Sequence, residues 1–323
     1  MALSLNPYRA PAWLPGGHAQ TIWPVLRKPA PPPYRRERWD TPDGDFIDVD
    51  WLATPEAADA PLVVLFHGLE GSSASHYAGA LMHALARRGW GGAVPHFRGC
   101  SGAPNRLPRA YHSGDSAEID WVLRRMRALF PQRTLFASGV SLGGNALLKW
   151  AGEQEGAACD VVQAVAGVCA PLDLTAAGRA LQQGFSLVYA KHFLGTLKAN
   201  AGAKLARFPG LFDEARMRAA RNLYEFDDAV TAPVHGFRDA GDYWRRASSK
   251  PWLGGIRLPA LVLNALNDPF LPRRALPAAQ QVAASVTLDY TEGGGHVGFV
   301  AGAFPGHLDW LPQRLLSFFD RAG

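Results

Sequence analysis

A serine stands in Gly139-Val140-Ser141-Leu142-Gly143, between a short apolar run, Arg133 to Val140, and a stretch where Ala146, Leu147, Leu148, Trp150 and Ala151 recur at helical spacing. Gly-x-Ser-x-Gly between a strand and a helix is the pattern of a nucleophile elbow. The turn is so sharp that side chains at Gly139 and Gly143 would collide with the neighbouring strand or helix, and the serine itself must adopt a strained backbone. Ser141 would thereby stand at the mouth of a sheet, at the positive end of the following helix. A glycine-rich turn around an ordinary serine has the same five letters. What separates the two is whether partner groups follow in the right order.

They do. Asp268 lies in Asn267-Asp268-Pro269-Phe270-Leu271-Pro272, just past the apolar run Ala260 to Asn264. His296 lies in Glu292-Gly293-Gly294-Gly295-His296-Val297-Gly298, just past Val286 to Tyr290. In an open α/β sheet, ligands sit beyond the carboxyl ends of the strands, where all three groups fall. The chain order Ser, Asp, His is that of α/β hydrolases. A serine hydroxyl is a weak nucleophile at neutral pH, so an imidazole must take its proton and later return it to the leaving group. A carboxylate on the far ring nitrogen fixes the tautomer and stabilises the imidazolium. The oxyanion needs backbone donors: the Leu142 N–H, next to the nucleophile, and the Leu69 N–H, in the turn after the strand ending at Phe66.

Other groups carry alternative readings. Asp173 also follows a strand and is the substitute acid if Asp268 is misplaced. His67 is expected to shape the loop holding Leu69 rather than act as a base, and Glu70 to be a loop carboxylate. Asp227 and Asp228 are paired like metal ligands, but anchoring hydrogen bonds suit them as well. The remaining histidines show no metal-ligand spacing, and no metal or cofactor is expected. Ser141 at the elbow excludes the aspartate nucleophile of dehalogenases and epoxide hydrolases.

The elements that must hold these groups read as follows. Residues 1–35 look irregular and end in Pro29-Ala30-Pro31-Pro32-Pro33, a polyproline lead-in. Arg36–Thr41 and Phe46–Leu52 flank Asp43-Gly44, a hairpin. Pro61–Phe66, Gly91–Phe97, Arg133–Val140 and Val161–Ala170 are buried strands alternating with helices at Tyr77–Arg88 and from Asp115, in a capping box with Glu118, to Ala128. This alternation predicts a doubly wound, mostly parallel sheet. From 173 to 255 only helical patches occur, at Phe185–Leu197, Asp213–Tyr224 and Asp239–Ser248, so this segment reads as a cap over the elbow. The core, 36–172, resumes at 256–323 with two more strands and helices near Ala275–Val282 and His307–Phe319. An acyl group is expected beneath the cap, near Phe185, Leu187, Val188, Tyr189 and Phe193.

The chain has 323 residues, 48% hydrophobic and 19% charged, with a net charge of +5. Its Arg and Lys are scattered as pairs, which argues against a nucleic-acid surface; only weak attraction to a membrane surface follows from them. Three cysteines without a Cys-x-x-Cys, no signal segment and no apolar run of membrane-spanning length predict a cytoplasmic protein.

Several stretches go beyond the general fold. They are Pro11-Ala12-Trp13-Leu14 with His18-Ala19-Gln20-Thr21, then His67-Gly68-Leu69-Glu70-Gly71 and Phe97-Arg98-Gly99-Cys100-Ser101-Gly102. Tyr111-His112-Ser113-Gly114-Asp115, Gly139 to Asn145, Phe226-Asp227-Asp228 through His235-Gly236-Phe237, Asn264 to Phe270 and Gly294-Gly295-His296 complete the set. On these the chain resembles the YheT-like branch of the α/β-hydrolase fold superfamily, which is similar to eukaryotic α/β-hydrolase-domain lipases and medium-chain ethanol acyltransferases. Relatives there often carry paired aspartates where this chain has Asn267-Asp268. The resemblance implies hydrolysis of short- to medium-chain acyl esters through Ser141, Asp268 and His296. An acyltransferase would use the same residues, with an alcohol in place of water. A binding protein that has lost catalysis would need no such set.

Overall fold

The computed structural model describes residues 7–53, 57 and 59–323; residues 1–6 of the expected lead-in lie outside them. Eight strands form one sheet: β1 (Tyr34–Asp40), β2 (Phe46–Leu52), β3 (Leu62–Phe66), β4 (Gly91–Pro95), β5 (Leu135–Val140), β6 (Ala164–Val168), β7 (Ala260–Ala265) and β8 (Val286–Thr291). Their order is β1-β2-β4-β3-β5-β6-β7-β8. Only the β1–β2 and β2–β4 pairings are antiparallel; β4 through β8 run parallel. Every residue of β3 to β7 is buried. Apart from Ser138 and Asn264 these are apolar runs, as expected of strands covered on both faces.

Alternation along β3 divides the core. Leu62, Val64 and Phe66 face a cluster with α3 (Ser116–Leu129) and α4 (Leu142–Gln154), through Ile119, Leu123, Leu147 and Trp150. Val63 and Leu65 face α2 (His76–Arg88) and the closing helix Trp310–Ala322, through Leu81, Met82, Leu315 and Phe319.

Between β6 and β7 the chain is helical: α5 (Leu174–Ala180), α6 (Leu187–Arg207), α7 (Glu214–Ala219), α8 (Leu223–Phe226), a π turn at Asp227–Thr231, α9 (Ala232–His235) and α10 (Ala240–Ala247). This segment has its own apolar centre around Leu194, Phe212, Met217 and Phe226. Asn145 ties it to the sheet. Its amide donates to the carbonyls of Ser113 and Ala247, and its oxygen accepts the Ser249 N–H.

Three local expectations are corrected. The 1–35 stretch is not wholly irregular, because Gly16–Leu26 is a helix (α1) despite Gly16, Gly17 and Pro24. Those residues disfavour a helix in isolation; contacts to the rest of the protein stabilise this one, as described below. No side chain caps α3 at Asp115. Asp115 instead accepts both of its bonds from Arg109, and Glu118 accepts from the buried Arg98 guanidinium, which also reaches Asp43 and Asp45. The helix expected near Ala275–Val282 is two 3-10 turns, Arg273–Ala275 and Ala279–Gln281. Pro277 forces its predecessor out of the helical region, and Leu276 sits at φ −65°, ψ 143°.

At the elbow, β5 meets α4 with no room to spare. A Cβ on Gly139 would lie 2.4 Å from the Gly143 carbonyl oxygen, and one on Gly143 would lie 2.5 Å from the Phe66 and His67 carbonyl oxygens. Backbone cannot give way there as a side-chain end could. Gly143→Ala is therefore expected to destabilise the fold by about 1–3 kcal/mol, measured as a lowered denaturant midpoint with unchanged slope.

Candidate active site

Ser141 occupies φ 52°, ψ −119°, and its N–H donates to the Val168 carbonyl at 2.9 Å. A non-glycine residue is strained in this conformation. Positive-φ non-glycine residues recur nearby at Glu70, Cys169, Val297 and Phe299, each in a loop leaving the carboxyl end of a strand.

His296 brings the distant pieces together. Its Nε2 lies 3.0 Å from Ser141 Oγ, and its Nδ1 lies 2.9 Å from Asp268 Oδ2. Asp268 can only accept as a carboxylate, so Nδ1 carries the proton and Nε2 is free to accept from the serine hydroxyl. The other carboxylate oxygen accepts the Phe270 N–H at 2.7 Å. Phe270 stacks on the imidazole at 3.9 Å and 13°. Asp268 is buried, and the pair is shielded from water on the Phe270 side. Asp173, the alternative acid, is elsewhere engaged: it caps α5 by accepting the Ala176 N–H.

The glycine-rich loop before His296 is held peptide by peptide. The N–H groups of Gly294, Gly295 and His296 donate to Gln20 Oε1, Asn267 Oδ1 and Thr21 Oγ1, at 2.7, 2.9 and 2.8 Å. His76 on α2 donates from Nε2 to the Val297 carbonyl at 2.9 Å. Burial pushes the His76 ring down to about 4, so it stays neutral. Two of these clamps, Gln20 and Thr21, come from α1, which is why that helix forms. Asn267, in place of the branch's first aspartate, is a clamp as well, since its amide also donates to Gln20. Sequence reasoning gave Gln20 and Thr21 no role, although His18-Ala19-Gln20-Thr21 stands among the stretches that carry the resemblance.

Cys169 lies beside Asp268 and His296, with ligand atoms within 4.8 Å of one another. Burial, then the Asp268 charge, holds the thiol protonated, and its sulfur accepts the Val297 N–H. It behaves as a small apolar residue that also holds the loop. Asp227 and Asp228 are anchors: Asp227 accepts from Thr231 and Trp244, and Asp228 from Arg216 and the Ala240 N–H.

The turn after β3 approaches Ser141 so closely that a Cβ on Gly68 would lie 3.3 Å from Ser141 Cβ. Its peptides are individually fixed. The Gly68 N–H donates to Tyr77 and the Glu70 N–H to Tyr111, at 2.8 and 2.9 Å. The Gly68 carbonyl accepts from both His67 Nδ1 and the Gly71 N–H. A carbonyl held from that side turns the N–H of the same peptide, that of Leu69, the opposite way. Among the described residues the Leu69 and Leu142 N–H groups have no acceptor, and both residues line the cavity with Ser141. His67 Nε2 accepts the Phe97 N–H, which leaves its proton on Nδ1. Glu70 bridges Tyr111 and Asn200 of α6, and burial raises its carboxyl. Tyr77 and Asn200 carried no sequence signal, because only the folded turn brings them to it; Tyr111 stands in one of the stretches that carry the resemblance but was given no role.

The cavity in front of Ser141 measures about 300 Å³. Its far wall is largely apolar and includes Leu181, Phe193, Leu197, Phe212 and Phe226. Of the five residues expected near the acyl group, only Phe193 lines it, and Leu187 is half exposed. Phe185 and Val188 are half exposed, and Tyr189 turns away to meet His18 Nδ1 at 3.1 Å. The register of α6 explains part of this: 193, 197, 200 and 204 share the inner face at helical spacing and 188 does not, while Tyr189, one turn earlier on the same stripe, packs against Phe270 and meets His18.

The fold and this site define an α/β hydrolase. The α/β hydrolase fold family matches residues 61–303, and the chain belongs to that family, in its YheT-like branch. It is 43% identical to the YheT esterase of Escherichia coli (strain K12) over 303 residues, spanning 92% of this chain and 88% of that one. It is 28% identical to human phospholipase ABHD3 over 321 residues, 96% of this chain and 78% of the relative. The esterase Est1E from Butyrivibrio proteoclasticus superposes with a TM-score of 0.57 at 16% identity, covering 89% of this chain and 98% of that one, a likeness of fold. Activity of the esterase and lipase type is supported by these relatives. No helix among the described residues is long and apolar enough to cross a membrane.

Burial pushes His67 down to about 3. A histidine kept neutral in the fold contributes stability that is present above pH 6.5 and lost as pH falls toward the folded value, because only the unfolded chain gains the proton. The stability advantage of wild type over His67→Asn should therefore shrink, by roughly 2–3 kcal/mol between pH 7 and pH 4.5, in denaturant titrations at each pH.

Proposed function

We propose that the protein is a serine carboxylesterase that hydrolyses short- to medium-chain acyl esters through an acyl-enzyme. The observation that carries this reading is the His296 ring within hydrogen-bond reach of Ser141 Oγ on one side and Asp268 on the other. Ser141 Oγ attacks the ester carbonyl while Nε2 takes its proton. Asp268 steadies the imidazolium. The oxyanion accepts from the Leu69 and Leu142 N–H groups, each such donor being worth about 3 kcal/mol. The tetrahedral centre collapses, Nε2 gives its proton to the leaving alkoxide, and the alcohol departs. Water then attacks the acyl-enzyme, losing its proton to Nε2, and the carboxylic acid leaves as Ser141 is restored.

The acyl chain lies in the apolar cavity, against Phe193 and Leu197, with residues 173–255 acting as its cap. That enclosure favours short and medium chains. The three free thiols suit a reducing, cytoplasmic setting.

A fluorophosphonate probe should label the wild type and fail to label Ser141→Ala, whose ester hydrolysis should fall by about 10⁴-fold or more. Absence of wild-type labelling would count for a non-catalytic binding protein. Across nitrophenyl esters of increasing chain length, turnover should peak at short and medium chains. A clear preference for long-chain triglyceride overturns that. Ethyl ester formed on adding ethanol would show that an alcohol replaces water in the second step.

A further inference from the structure

Helix α1 has one face committed and one face free. Gln20, Thr21 and Pro24 are buried, and the first two hold the His296 loop. The opposite face, at i, i+4, i+7 and i+8 spacing, carries His18, Ile22, Val25 and Leu26. Val25 and Leu26 are 56% and 71% exposed. A surface helix ordinarily shows polar residues there. Two other segments with exposed apolar side chains join it. Phe304 forms an edge-packed trio with Trp13 and Trp23, and Trp23 donates to the Pro305 carbonyl. The turn entering α6 places Phe185 against His18, at 4.7 Å between rings, and brings Leu187 and Val188 to the surface. Of the nine large apolar side chains that stand exposed among the described residues, six belong to these three segments. Scattered exposed apolar residues are ordinary, but such a concentration marks an interaction surface.

Charge narrows what covers it. There is no Asp or Glu in residues 1–36, 174–212 or 293–308, so all 28 lie elsewhere. Arg27, Lys28 and Lys191 are exposed, and their side chains have no hydrogen-bond or salt-bridge partner among the described residues. A second copy of this chain would set those cations against one another. An anionic lipid surface neutralises them and takes up the apolar side chains. We propose that α1, the turn entering α6 and the Phe304 loop form a docking face for an anionic lipid bilayer. The protein lies on that surface without spanning it.

Docking is independent of the catalytic reading, so the binding assay uses both wild type and Ser141→Ala, which should sediment alike with vesicles. Both should bind vesicles of phosphatidylcholine mixed with phosphatidylglycerol far better than vesicles of phosphatidylcholine alone, and raised salt should weaken the binding. Each cation near such a surface is worth roughly fivefold in affinity, so Arg27→Glu with Lys28→Glu should lower it at least tenfold. Val25→Asp with Leu26→Asp should do the same by removing the inserted face. Both double variants should hydrolyse a soluble short-chain ester like the wild type, which shows that they fold. Binding that ignores the anionic lipid or these substitutions overturns the proposal. So does a concentration-dependent dimer that the same substitutions dissolve, since the occupant is then a second copy.

Discussion

The structure depends on one steric constraint, the closeness of β5, α4 and the turn after β3 around Ser141. Gly139 and Gly143 let backbone touch backbone there, and Ser141 takes up the resulting positive φ. Relaxing that turn would swing the hydroxyl away from the rim of the sheet and separate the Leu142 N–H from the Leu69 peptide. Everything else at the site is built to meet a point already set by this contact. The loops that answer it are held in a shared way: most of their peptides have a named partner, and these partners are neutral side chains that are at least partly buried.

Those partners come from all over the chain. Tyr77 and His76 stand on the helix after β3, Tyr111 and Phe97 in the loops after β4, Asn267 after β7, and Gln20 and Thr21 on the first helix. Few of them touch the cavity. Their effect is to give two unpartnered N–H groups and one imidazole nitrogen a single direction. Organisation in advance of substrate is how such a site lowers a barrier.

Much of this was legible in the sequence, and the limits have physical causes. The strands were plain, because five of them are buried on both faces and leave unbroken apolar runs such as Leu62–Phe66. Ser141, Asp268 and His296 could be singled out because each follows such a run, and in the structure the His296 ring stands 3.0 Å from Ser141 Oγ and 2.9 Å from Asp268 Oδ2. What escaped depends on tertiary contact. Helix α1 is written in glycine and proline, so local propensity argues against it, and tertiary contacts stabilise it: the clamps on the His296 loop, the packing of Trp23 and its bond to the Pro305 carbonyl. The apolar residues opening α6 were assigned to the substrate from composition, whereas the register of the helix decides which of them face inward. Pro277 kept the stretch after β7 from forming the expected helix. Asp115 and Glu118 have the spacing of a cap yet serve Arg109 and Arg98, because a buried guanidinium competes successfully for a carboxylate.

The bond from His296 N–H to Thr21 joins residues 275 apart in sequence. A ribosome releases the chain from one end, so residues 16–26 are made long before the His296 loop that they hold. Ser141 and His296, whose hydroxyl and ring nitrogen stand 3.0 Å apart, are likewise made 155 residues apart. The early helix and the late loop can therefore stabilise each other only after the strands between them have been made and have paired.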